Sequence, residues 1–182
     1  MERTLYSNKT FHIKEISLTS DYDNPAKLYL KNNTVNSLAD VVTYTEFLIE
    51  ESGISTDPPV NLHAILDRFG IPEPKYINLT QQQGMILPNF EPLQMIIHAE
   101  DLYTRQKFTI AHELIETLFI ELPGKIRFDG QKRNIFGVTK ERICNEAAAS
   151  LLIPKDSFYP WAIRIGLSFQ SAELLANEYD VS

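Results

Sequence analysis

Apolar residues recur at helical spacing over residues 36–52, NSLADVVTYTEFLIEES, where Leu38, Val41, Val42, Phe47 and Leu48 gather on one side and Gly53 follows as a stop. DPPV then breaks the chain, and NLHAILDRFG predicts a second helix, capped by Asn61 and ended by Gly70. Three short extended runs come next: KYINL, GMIL and LQMIIHA, separated by prolines at 72, 74, 88 and 92 and by Gly84. They predict a small antiparallel sheet. Residues 104–121 form a long helical candidate, followed by a loop holding Gly124, Gly130 and Gly137. TKERICNEAAASLLIP reads as a strong helix with Thr139 at its N-cap, ending before Pro154. Shorter helices around 155–165 and 169–179 close the pattern. In residues 1–35, KTFHIKEISL alternates like a strand and SDYDNPAKLYLKNN is rich in turn formers. Helices, then strands, then helices predict an α+β domain over 36–182, preceded by an extension over 1–35. The helical pattern still running at NEYDVS predicts that the domain continues past residue 182.

Composition narrows the function classes. The chain has 182 residues, 43% hydrophobic and 23% charged, as expected of one soluble globular domain. With 17 basic against 24 acidic residues and no Lys/Arg run, direct nucleic-acid binding is not expected. Cys144 stands alone, which excludes an internal disulfide and rules out a Cys-based zinc site as the expectation. The N-terminus lacks an apolar signal core, and no apolar run approaches the ~20 residues that span a bilayer. A cytoplasmic, non-membrane protein is the expectation.

The chemistry concentrates in FTIAHELIETLF, residues 108–119. Phe108, Ala111, Ile115, Leu118 and Phe119 make one stripe for the core. His112 and Glu116, four residues apart, stack on a neighbouring face with Glu113 beside them. In His-Glu-x-x-His, two imidazoles at this spacing hold zinc, which brings the pKa of water to about 7, and the intervening Glu takes the proton. Here Glu116 replaces the second His, keeping the spacing while adding negative charge. The plainer alternative is three surface residues on an amphipathic helix. Against it, a carboxylate set among Phe and Leu is costly without a cation or a donor. On the later helix, Glu141, Asn145, Ala148 and Leu152 share a side, and Ala147 to Ser150 are small enough for close packing. Glu141 could then complete a three-ligand site with an open position. Alternatively it is an exposed first-turn residue favoured by the helix dipole.

Three ordered segments, PPVNLHAILDRFGI, RQKFTIAHELIETLF and ERICNEAAASLLIP, together with LLANEYDVS, resemble the ImmA/IrrE family of zinc-peptidase-like proteins over residues 38–182. The resemblance implies a zincin-like α+β fold with a motif helix and a second ligand-bearing helix. It implies metal ligands at His112 and Glu141, with Glu116 in the second ligand position, and Glu113 as general base. Zn²⁺ is the implied metal; the His/Glu/Glu set also suits Mn²⁺ or Fe²⁺. The implied activity is peptide-bond hydrolysis of a specific protein, such as a helix-turn-helix repressor of a phage or mobile element. The alternative is an inactive peptidase-fold module that grips a regulatory protein, with Glu116 paired to a Lys or Arg of the 124–140 loop. Cys144 and Ala147, where the family usually has Ala and often Phe, read as packing changes, with Cys144 neither ligand nor nucleophile. His98 could line the cleft, Tyr159 or Arg164 could polarise a carbonyl, Arg105 suggests structural contacts, and His12 and His63 carry no role.

Overall fold

The computed structural model describes residues 22–122, 134–135, 138–166 and 168–181. Helix α1 (Pro25–Leu30) starts where Asn24 accepts a hydrogen bond from the Lys27 N–H and Pro25 takes the first turn, where its missing N–H costs nothing. The stretch SDYDNPAKLYLKNN, residues 20–33, expected to be turn-rich, thus contains a helix that sends Ala26 and Tyr29 into the core. The strand expected at residues 9–18 lies outside the described residues. Helix α2 (Leu38–Ser52) opens with a reciprocal Ser37–Asp40 capping box and ends on left-handed Gly53. Helix α3 (Leu62–Arg68) is capped by Asn61, which accepts from the Ala64 N–H.

Strands β1 (Lys75–Ile77), β2 (Gly84–Leu87) and β3 (Gln94–His98) form one sheet in the order β1-β3-β2. It is mixed rather than antiparallel: β2 pairs antiparallel to β3, but β1 pairs parallel to it. The reason is that β3 is the apolar strand, with Met95 and Ile97 buried, while β1 is exposed throughout. β3 therefore takes the centre. The chain reverses twice between β1 and β3, so their pairing is parallel. Among the described residues, β2 lies at one edge of the sheet.

Helix α4 (Tyr103–Ile120) runs beneath the sheet. The expected single stripe is too narrow. Ile110, Ala111, Leu114, Ile115 and Leu118 are buried, and so are Lys107, Thr109, His112, Glu113 and Thr117, whereas Phe108 is only half-buried. A helix covered on nearly all sides is a central helix. After a short hairpin of β4 (Asn134–Ile135) and β5 (Val138–Thr139), helix α5 (Lys140–Leu152) packs along α4. Thr139 caps α5, accepting from the Arg142 N–H. Ala147 and Ala148, fully buried, let the two backbones approach. Helices α6 (Lys155–Ile165) and α7 (Phe169–Tyr179) follow. The buried Lys107 amine donates to the carbonyls of Tyr179 and Asp180 and pairs with the Asp180 carboxylate at 3.0 Å, fastening the end of α7 to α4. Among the described residues, no helix is long and apolar enough to cross a membrane.

Candidate metal centre

Close packing of α4 on α5 fixes which side chains meet. Glu141 and Asn145 sit one turn apart on α5, as His112 and Glu116 do on α4, and all four line one cleft of about 720 Å³. The opposite wall is residues 81–86, including the start of β2. The His112 Nδ1–H donates to Asn145 Oδ1 at 2.9 Å. That contact makes Nδ1 the donor to Asn145 and turns Nε2 toward two carboxylates. Nε2 lies 3.7 Å from Glu116 Oε1 and 3.7 Å from Glu141 Oε2. Glu141 is at the rim, its side chain 69% exposed, whereas Glu116 is largely covered. Glu116 also pairs with Lys140 Nζ at 2.5 Å.

Glu113 lies deeper, 6% exposed, against β2. Its neighbour Gly84 is a close-approach position. A Cβ there would run into the Thr109 methyl and stand 3.2 Å from Glu113 Oε1. Burial, reinforced by the charge of Glu116, pushes the Glu113 carboxyl up to about 7, against the pull of His112, Lys140 and the Ile86 N–H. For Glu116, burial acts upward too, but hydrogen bonds from His112 and Lys140 outweigh it and hold the group below its ordinary range. Burial acts to lower the His112 value; Glu116, Glu141, Asn145 and Glu113 together overcome it and raise the imidazole above 6.5.

Among the described residues, one trio of donors is compact enough to share an ion: His112, Glu116 and Cys144, with ligand atoms all within 4.8 Å of one another. Cys144, expected only to fill space, thus has its sulfur within 4.8 Å of the ligand atoms of His112 and Glu116, behind the cleft lining. It is fully buried, and burial pushes its thiol well above the ordinary range.

The other candidates fall elsewhere. His98 Nδ1 accepts the Leu79 N–H at 2.8 Å and ties down the segment after β1, outside the cleft. His63 pairs with Glu73 on the surface, and His12 lies outside the described residues. Tyr159 and Arg164 are on α6 and do not line the cleft. Arg105 does line it, pairing with the Gln83 side chain, a contact between α4 and the loop before β2. Asn145 received no role from the sequence, and its i,i+4 spacing from Glu141 was the signal. Lys140 falls in the 124–140 range expected to supply a basic partner for Glu116, although it is the first residue of α5.

A helix bearing His-Glu-x-x-Glu, a second helix bringing an acid alongside it, and a small sheet edging the cleft define a metallopeptidase-like domain of zincin-like α+β architecture. The model of the IrrE N-terminal-like domain, Peptidase_M78, matches residues 75–182, more than half of the chain, and the chain belongs to this family. The match runs from β1 through both site helices. Comparison with curated proteins gives no match.

Proposed function

We propose that this chain is a metal-dependent peptidase domain with His112, Glu116 and Glu141 as metal-holding groups and Glu113 as general base. The observation that carries this reading is the His112 imidazole, oriented by Asn145 so that Nε2 faces Glu116 and Glu141 at 3.7 Å each. The donor set suits a divalent ion: one imidazole nitrogen and two carboxylates, with a further acid, Glu113, that gains from nearby positive charge. When bound, such an ion supplies Lewis acidity toward a carbonyl and toward water. The chain's own residues do the rest. Glu113 titrates near neutral pH, where a base can both accept and return a proton, and it reaches the cleft from beside His112. The outer edge of β2 borders the cleft, so an extended substrate can add to it as a further strand. Kinship with the family supports a specific cytoplasmic protein as substrate, such as a helix-turn-helix repressor, with zinc as the usual ion and Mn²⁺ or Fe²⁺ as competitors.

The Lys140–Glu116 pair favours a second reading, an inactive module that holds a regulatory protein without cutting it, since the amine already neutralises a ligand position. One experiment separates them. The chain is dialysed against Zn²⁺ or Mn²⁺, its metal is counted by elemental analysis, and a peptide library is digested and read by mass spectrometry. The peptidase predicts one equivalent of metal and cleavage, with cleavage but not metal lost in Glu113→Gln and both lost in His112→Ala. Metal without cleavage favours the module, and no metal overturns the assigned site.

A further inference from the structure

We infer that Cys144 is an inner ligand of the metal centre, the ion being held by His112, Glu116 and the Cys144 thiolate, with Glu141 as a displaceable outer donor. This rests on the metal-dependent reading above and changes its ligand set. Donors within 4.8 Å of one another are within reach of one ion after small side-chain movements, given bonds of ~2.3 Å to sulfur and ~2.0–2.2 Å to nitrogen or oxygen. Glu141 is not part of that compact group, although it approaches His112, and its side chain is mostly in solvent.

The sulfur is also the more rigidly held donor, although burial raises its thiol and an ion must offset that on binding. Cys144 is fully buried on α5, next in sequence to Asn145, so a single turn of helix fixes both the His112 tautomer and the thiol. Glu141 is a long side chain on the exposed first turn, so holding it costs more rotamer freedom. Ligand chemistry points the same way. Replacing an imidazole by Glu116 hardens the site, and a thiolate softens it again, restoring preference for zinc over manganese. Neutral His112 with two anions, Glu116 and Cys144, balances a divalent charge. On binding, the S–H bond breaks heterolytically, a sulfur–metal bond forms, and the proton leaves to the buffer.

Cobalt(II) titration of the full chain tests this, because thiolate ligation gives an intense near-ultraviolet charge-transfer band distinct from the visible d–d bands. We expect that band in the wild type and in Glu141→Gln. Cys144→Ala should lose it while keeping d–d absorption, release about one fewer proton per metal, and bind zinc about tenfold or more weakly with manganese little changed. Visible cobalt bands without the charge-transfer band in the wild type would overturn the assignment while leaving the metal-dependent reading intact. Absence of cobalt binding would overturn both. If Cys144→Ala does not fold, the wild-type and Glu141→Gln spectra decide the matter.

Discussion

Replacing Glu113 by Gln in the metal-free protein should make it more stable above neutral pH. The carboxyl is raised from 4.5 to about 7, chiefly by burial and next by the charge of Glu116. That shift of about 2.5, at ~1.36 kcal/mol per unit, corresponds to about 3 kcal/mol. The folded value exceeds the unfolded one, so the protonated form is favoured by folding. The contribution is fully present below about 4.5 and disappears as the pH rises through about 7. Gln keeps the shape and carries no charge. Urea unfolding with a chelator present, at pH 5 and pH 8, reads the effect. The wild type should lose up to about 3 kcal/mol from this group between the two conditions, and Glu113→Gln should lose much less. A smaller fall should persist in the variant, because His112 is raised as well and its contribution, present below 6.5, goes the same way. Parallel pH profiles for the two proteins would refute the desolvation argument.

Gly84→Ala forces a methyl into Thr109 and toward Glu113, so we expect about 1–3 kcal/mol of lost stability in chemical denaturation, mostly recovered in Gly84→Ala/Thr109→Ser. Lys107→Met leaves the end of α7 without its clamp; with Asp180 partly in water the cost should be about 2–3 kcal/mol, below that of a fully buried pair, with earlier proteolysis at the C-terminal helix. Asn145→Ala removes the acceptor for His112 Nδ1, and metal affinity measured against a chromophoric chelator should fall about 10–100-fold with the fold intact. Glu116→His frees Lys140 and restores a nitrogen donor; zinc affinity should rise and manganese affinity fall in the same assay, and unchanged affinities would remove residue 116 from the ligand set.

Elements with strong periodicity and side-chain caps were legible in the sequence almost to the residue. Asn61 and Thr139 cap where they were expected to. Asn24-Pro25 is the same signal, an N-cap followed by a first-turn proline, but it sits among turn formers and starts a helix of only 6 residues. The all-round burial of α4 was not legible, because it depends on what packs against each face. His112 and Glu113 look like surface residues until α5 and β2 cover them. Parallel pairing of β1 was hidden for a similar reason: three residues carry no direction of pairing, and the partner is chosen by the apolar β3. The approach of Glu141 to His112 was expected from helical spacing and small residues at the α5 face, and the Asn145 contact was not. The sulfur of Cys144 did not, since burial of a lone cysteine is ordinary and only its distance from His112 and Glu116 gives it a second use.

The cleft divides its acids into different roles by giving them different company. Glu116 has both Lys140 and His112, and it stays ionised. Glu141 has the solvent and the edge of the imidazole. Glu113 has the Ile86 N–H and the apolar wall of β2, and it is the one whose proton is held to about 7. A pair of neighbouring acids with separated proton affinities is what acid–base chemistry at neutral pH requires. The separation here comes from packing: Lys140 at the first turn of α5 is placed by the Thr139 cap, and Glu113 is pressed on a strand that has glycine where any side chain would intrude. A cation entering between His112 and Glu116 must compete with Lys140 for the same carboxylate. On the proposed reading, a Glu at position 116 weakens the ion's hold, and its charge also adds to the burial that raises the Glu113 carboxyl.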